Sequence, residues 1–304
     1  MPPIASVDVP ASSANLGSGF DCFAAALSLK LRAELWHGDE AGIVLNARGE
    51  GIPRDDEPAD DNLLIRAFRE GLRASAATGA GAWRLEVSSM IPSARGLGSS
   101  AAAIVAGIVL GAAIGRRTVE ADELLALATR LEGHPDNVAA ALYGGFTVAV
   151  READDGVTLR RFRVPEAWIP VAFISQRESR TREMRAALPE QVSHEAAARQ
   201  AARSALLATA VMTSDAGLLE AAMRDEIHQP YRLPHLPGSG ELIDLAYARG
   251  AAGACLSGAG PTVLAICDSP ASAHAVEKAW NAAGVPGMAT RLRFDTSGAR
   301  LTAD

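Results

Sequence analysis

The stretch Pro92-Ser93-Ala94-Arg95-Gly96-Leu97-Gly98-Ser99-Ser100-Ala101-Ala102 constrains the fold more than any other part of the chain. Two glycines one residue apart let the backbone approach an anion closely, and two serines add hydroxyls. The apolar, alanine-rich run from Ala101 to Ile114 predicts a helix that begins at once and is buried on most sides. Such a helix aims its free N–H groups and the positive end of its dipole at whatever lies in front of it, and phosphate suits that position. A purely structural reading competes, in which the serines cap the helix and the glycines merely turn the chain. The common G-x-x-x-x-G-K-[ST] loop is absent and no lysine lies nearby. A triphosphate here would therefore be met by amides, hydroxyls, arginine and a divalent metal.

The rest of the chain supplies the setting. At 304 residues, 48% hydrophobic and 21% charged, it is large enough for two lobes around a cleft. Strand patterns over 4–10, 27–36, 83–91, 146–150, 170–175, 254–257 and 262–267 are interspersed with helical patterns over 101–114, 119–131, 195–225, 241–249 and 272–283. A further helix is predicted to start at Asp60-Asp61-Asn62, and the first strand to end at Pro10. The expected class is mixed α+β. Charged, turn-rich residues 151–166 mark the expected seam, giving domains 1–155 and 156–304.

Charge and cysteines exclude several functions. With 36 acidic and 29 basic residues the net charge is −7, and no run of five like charges occurs, so nucleic acid is not an expected partner. The lysines are Lys30 and Lys278 alone, so anions bound by side chains will mostly meet arginine forks. Cys22, Cys255 and Cys267 have no C-x-x-C spacing and read as buried thiols in a reducing cytosol. The start has no signal-peptide pattern, and no window of 18 uninterrupted apolar residues occurs, so a cytoplasmic protein without membrane partners is expected.

The pattern P-x-x-x-G-L-G-S-S-A-A resembles the central phosphate-binding motif of the GHMP kinases. Two more segments similar to that family follow its order: Val9-Pro10-Ala11-Ser12-Ser13-Ala14-Asn15-Leu16-Gly17 near the start and Leu256-Ser257-Gly258-Ala259-Gly260-Pro261-Thr262 near the end. Within the family, Ser13 to Asp21, Glu132-Gly133-His134-Pro135-Asp136-Asn137 and His228-Gln229-Pro230-Tyr231-Arg232 resemble the members that phosphorylate L-homoserine. The resemblance implies a domain like the second domain of ribosomal protein S5 followed by a ferredoxin-like domain, with ATP and Mg²⁺ as cofactors, L-homoserine as substrate, and a homodimer at family level.

It also implies roles. The loop Pro92 to Ala102 would hold the phosphates and Asn62 the adenine; Ser100 and Glu132 would hold the metal and, with Asn137, form the catalytic set. Around homoserine would stand Asn15, His134, Asn137, Thr181 and Gly258, with Asp21 on the ammonium and Arg185 and Arg232 on the carboxylate. Each has a plainer reading: Asn15 and Asp21 can stabilise a turn, His134 can be packed, the arginines can be solvated, and Gly258 can sit in a hairpin. Zinc is excluded by the absence of ligand spacing. Asn137 cannot accept a proton, so direct attack by the substrate hydroxyl with late proton loss is expected. The alternatives are a related kinase for another small alcohol and a silent metabolite-binding protein.

Overall fold

The computed structural model describes residues 2–50, 62–77 and 81–303, so Asp60 and Asp61 lie outside the described residues. In the first domain the chain forms β1 (Ala5–Asn15), β2 (Gly19–His37), β3 (Gly42–Gly49), α1 (Leu63–Ala74), β4 (Ala82–Ser89), α2 (Ser99–Ala112), α3 (Ala121–Glu132), α4 (Asp136–Tyr143), β5 (Phe146–Arg151) and β6 (Val157–Phe162). The second holds β7 (Ile169–Ser175), α5 (Thr181–Ala186), α6 (His194–Thr213), α7 (Leu219–Ala222), α8 (Gln229–Arg232), α9 (Ser239–Ala248), β8 (Gly253–Leu256), β9 (Val263–Cys267), α10 (Pro270–Asn281) and β10 (Gly287–Arg291). A last strand, β11 (Arg300–Ala303), pairs antiparallel with β1.

The first sheet runs β11-β1-β2-β4-β3, with β5 on β2 and β6 on β5; the second runs β10-β7-β9-β8. The expected division lies at 155/156. It falls in the turn of the β5–β6 hairpin, whose ladder pairs Arg151 with Val157, and the C-terminal strand returns to the first sheet. The expected strand end at Pro10 is also corrected: β1 continues to Asn15, and the register shifts between Pro10 and Ala11, a place where a missing N–H is tolerated. The helical pattern predicted over 195–225 breaks at Ser214, which takes a left-handed conformation (φ 57°), after which Asp215 accepts from the Gly217 amide to start a new turn.

Alternation explains how the two sheets share a core. Val171, Phe173, Val263 and Ala265 pack with Leu242, Val276 and Trp280, while the intervening Ala172, Leu264 and Ile266 join Leu207 and Leu219 in the cluster that also holds Val9, Leu27, Phe68 and Ile104. Helix α2 is apolar around its whole circumference, as its alanine-rich sequence predicts, and packs against α1 at near-backbone contact. A Cβ built on Gly111 would stand 2.2 Å from the Phe68 carbonyl oxygen, and one on Gly107 2.4 Å from that of Leu64. This contact fixes where the N-terminus of α2 emerges. Gly111→Val is expected to lower stability by about 1–3 kcal/mol through overpacking, read as a drop in melting temperature.

Candidate active site

A cleft of about 270 Å³ opens where the loop before α2 meets the β1–β2 turn, the α3–α4 turn, α5, α8 and the β8–β9 turn. Two other cavities among the described residues lack such convergence. The one beside β2, β3 and β4 (about 330 Å³) is lined by Arg32 and Glu34, which pair with one another, and the groove near Trp168 (about 680 Å³) includes the Arg291–Glu277 pair.

The β8–β9 turn clasps the first domain. Gly258 donates its amide to the Ala14 carbonyl (3.0 Å), and its own carbonyl accepts from Asn15 Nδ2 (2.8 Å) and Arg232 Nη1 (3.1 Å). Ser257 Oγ donates to the Gly96 carbonyl (2.6 Å) and lies 2.8 Å from Ser13 Oγ. Arg95 ties the loop to the end of β7, donating to the carbonyls of Ser175 and Gln176 (2.9 and 3.2 Å). Gly96 has φ 74° and would place a Cβ 2.2 Å from the Ser257 carbonyl oxygen, so the clasp requires glycine.

Gly98, not a serine, is the N-cap of α2; it is left-handed (φ 69°) and provides no side-chain cap. The capping alternative for the serines therefore fails, and Ser99 and Ser100 stand in the first turn with no side chain capping their amides. A Cβ on Gly98 would lie 2.1 Å from Ser12 Oγ and 3.1 Å from Asn137 Oδ1. Those two residues bond to each other (2.8 Å) beneath the loop. Gly98 is thus required for seating the loop on β1 and α4.

Ser100 Oγ donates to Glu132 Oε1 at 2.6 Å. Burial pushes the Glu132 carboxyl up, against the Ser100 bond and His134, and among the described residues no Lys or Arg forms an ion pair with it. A hydroxyl and a carboxylate facing the loop are hard oxygen donors, a set that fits Mg²⁺ with phosphate and water completing its shell. Gly133, left-handed at φ 95°, ends α3, and α4 begins after Pro135, a helix that the sequence pattern did not predict. That restart brings in Asp136, which sequence reasoning left out of the site. Asp136 is 1% exposed, lines the cleft, and accepts from His134 Nδ1 (2.7 Å) and the Asn137 amide (2.6 Å). Burial opposes charge on His134, but Asp136 and then Glu132 outweigh it and hold the imidazole above its usual range.

Arg185 and Thr181 share the short α5, and both line the cleft. Arg185 forms a two-pronged pair with Asp21 (2.8 and 2.7 Å), a bond that raises its pKa. Asp21 and Asn15 both have left-handed backbones (φ 53° and 68°), and Asn15 Oδ1 accepts the Asp21 amide (3.0 Å), so these residues stabilise a turn, and they line the cleft as well. Arg232 differs: it is 2% exposed and its described partners are carbonyls and an imidazole, with no carboxylate. Burial, with repulsion from Arg185, pulls it down to about 10. The Phe20 ring lies within reach of both guanidiniums, 5.7 Å from Arg185 and 5.3 Å from Arg232.

Of the residues expected from sequence, Pro92 to Ser100, Asn15, Asp21, Glu132, His134, Asn137, Thr181, Arg185, Arg232 and Gly258 line this one cleft. Ala101 and Ala102 are fully buried inside α2 instead. Asn62 is the N-cap of α1, accepting from the Leu64 and Ile65 amides (3.0 and 3.2 Å), and is not among the lining residues. Phe20, Ser12, Ser257 and His228 also carry the site; they lie inside or beside the quoted motifs, and their roles depend on partners far away in sequence.

The model of the GHMP kinase N-terminal domain matches residues 62–145, and that of the GHMP kinase C-terminal region matches 202–286. The chain is 42% identical over 262 residues to homoserine kinase of Moorella thermoacetica, covering 86% of each protein, and 38% identical to that of Synechocystis sp., covering 97% of each. A crystal structure of homoserine kinase from Cytophaga hutchinsonii superposes with a TM-score of 0.87 at 26% identity, covering 98% of both chains. Mevalonate kinase of L. major, at 17% identity and TM-score 0.71 over 97% of this chain and 95% of its own, shares the fold. Among the described residues no helix is long and apolar enough to cross a membrane.

Gly98→Ala is expected to raise the KM for ATP about tenfold or more by unseating the loop. Adding Ser12→Ala, which removes the nearest clashing atom, should recover part of that loss; steady-state kinetics of the single and double variants check it.

Proposed function

The chain belongs to the homoserine kinases of the GHMP family, and on that premise we propose how its cleft carries out ATP-dependent phosphorylation of the side-chain hydroxyl of L-homoserine to O-phospho-L-homoserine, a step of threonine biosynthesis. The observation that carries the residue assignment is Arg232: a buried guanidinium at the floor of the cleft that lacks a carboxylate partner among the described residues. A planar fork in that state matches the α-carboxylate of an amino acid. Asp21 is already held by Arg185, yet each of its oxygens retains a second lone pair, so it can accept the substrate ammonium without releasing the arginine. Arg185 then completes the carboxylate contact from the side, with Asn15, Gly258 and Thr181 shaping the wall.

The hydroxyl end of homoserine points toward the loop, where the amides and hydroxyls of Gly96 to Ser100 bind the β- and γ-phosphates. Ser100 and Glu132 would hold Mg²⁺, whose charge neutralises the phosphates when it is bound. The carboxylates lining the cleft are engaged: Asp21 by Arg185, Asp136 by His134, Glu132 by Ser100. No strong base therefore faces the hydroxyl, and the reading keeps direct attack. The substrate oxygen bonds to the γ-phosphorus, the bond to the β–γ bridging oxygen breaks, ADP leaves, and the proton passes late to a phosphoryl oxygen. His134 and Asn137, oriented by Asp136, hold the hydroxyl in line.

Arg232→Ala is expected to raise the KM for homoserine by roughly 30-fold or more with the KM for ATP nearly unchanged; Arg185→Ala should raise it less, since that arginine is already part-neutralised. Asp21→Asn should reduce kcat/KM for L-homoserine far more than for 4-hydroxybutyrate, which has no amine to lose. An ADP-release assay across these substrates reads both, and equal losses on the two substrates contradict the assignment of Asp21. Glu132→Gln should cut kcat about 10²-fold or more and raise the Mg²⁺ concentration needed for half-maximal rate.

A further inference from the structure

Behind Arg232 lies a histidine that the reaction described above does not use. His228 is wholly buried, one turn before Arg232 at the start of α8. Its Nε2 stands 2.8 Å from the Gly17 carbonyl oxygen, and its Nδ1 stands 3.3 Å from Arg232 Nη1. A carbonyl oxygen can only accept and a guanidinium can only donate. Both contacts are satisfied by one form alone, the neutral ring with its proton on Nε2 and a lone pair on Nδ1. The imidazolium would set N–H against N–H at Arg232.

The surroundings agree with that form. Burial pulls the His228 pKa down, Asp225 opposes this, and Arg232 adds to the lowering. Asp225 Oδ2 lies 3.6 Å from Nε2 but is already taken up by the amides of His228 (2.9 Å) and Gln229 (2.6 Å), so it holds the turn into α8. Phe20 stacks on the imidazole at 5.3 Å between ring centres, with 23° between the planes, and the same ring lies 5.3 Å from the Arg232 guanidinium. The Gly258 carbonyl accepts from the same Nη1 that points to Nδ1. Among the described residues Arg232 therefore forms no ion pair, yet it is held by an imidazole lone pair, the carbonyls of Gly258 and Met184 and an aromatic face.

We propose that His228 is a positioning residue for homoserine binding: a neutral acceptor that fixes the Arg232 guanidinium in the plane where it meets the substrate carboxylate, with the β1–β2 turn as its anchor through Gly17. The inference rests on Arg232 being the carboxylate ligand. It extends the substrate pocket to a residue that never touches substrate. A histidine that merely fills space would influence stability and leave the two substrates' kinetics alone.

Three variants separate the possibilities: His228→Leu, His228→Gln and, as the reference, Arg232→Ala. His228→Leu removes both hydrogen bonds and is expected to raise the KM for homoserine about tenfold or more, leaving kcat at saturating homoserine and the KM for ATP within about twofold. His228→Gln can donate at one end and accept at the other, and should recover most of the loss. If Arg232→Ala raises the homoserine KM and His228→Leu does not, the role of His228 is overturned while the carboxylate reading stands. If Arg232→Ala itself leaves that KM unchanged, the underlying reading falls. Equal rises in both substrates' KM for His228→Leu, or no recovery with Gln, also overturn the positioning role. Should His228→Leu not fold, the ¹⁵N shifts of the wild-type imidazole decide: a protonated Nε2 with an unprotonated Nδ1 supports the proposal, and a proton on Nδ1 contradicts it.

Discussion

One residue, Gly258, holds the site together through its two backbone polar groups. Its carbonyl accepts from Asn15 and Arg232 and its amide donates to Ala14, so a turn of the second domain fixes both the β1–β2 turn of the first and the buried arginine. Ser257 extends the same clasp to the carbonyl of Gly96 in the loop before α2. The position of the loop relative to the arginines is therefore set by short hydrogen bonds that converge on the backbone of Gly258, Ala14 and Gly96. A pocket that measures the span from an α-carboxylate to a side-chain hydroxyl gains its selectivity from that rigidity.

Charge is distributed unevenly within this frame. Asp21 with Arg185, and Asp136 with His134, are paired inside the protein, whereas Arg232 and Glu132 lack opposite charges in ion-pair contact among the described residues. Burying a charge without a partner lowers stability, and a ligand that supplies the partner restores it. The two unpaired groups stand at opposite functional ends, one suited to a carboxylate and the other to a cation beside the phosphates. On the proposed reading, substrate and metal would complete an arrangement that the folded chain leaves open, which would couple binding to stability as well as to orientation.

The glycine loop was legible because its signal is local: Gly96, Gly98 and the apolar run after them fix a turn, a left-handed cap and a buried helix in adjacent residues. What those glycines face was not legible, since Ser12, Asn137 and Ser257 meet them only through the tertiary fold. Asp136 escaped for a similar reason. Its role follows from α4, and the restart of the chain after the left-handed Gly133 is a backbone event that apolar periodicity does not register. Strand β3 is largely exposed, so its sequence lacks a buried face to reveal it. Asn62 was read toward the nucleotide from sequence; in the fold its side-chain amide oxygen also caps α1, a role that the same residue type can fill. The lone paired state of Arg185 with Asp21 could not be read either, because two residues 164 apart in sequence meet there.

The account is tested most directly by the crystal structure of a ternary complex of the enzyme with L-homoserine, Mg²⁺ and a non-hydrolysable ATP analogue. It predicts the homoserine carboxylate on the Arg232 guanidinium, the ammonium on Asp21 with the Arg185 pair retained, and the hydroxyl facing the γ-phosphate above Gly96 to Ser100. Homoserine bound with its carboxylate away from Arg232, or with the Asp21–Arg185 pair broken and Asp21 turned to the hydroxyl, would contradict it.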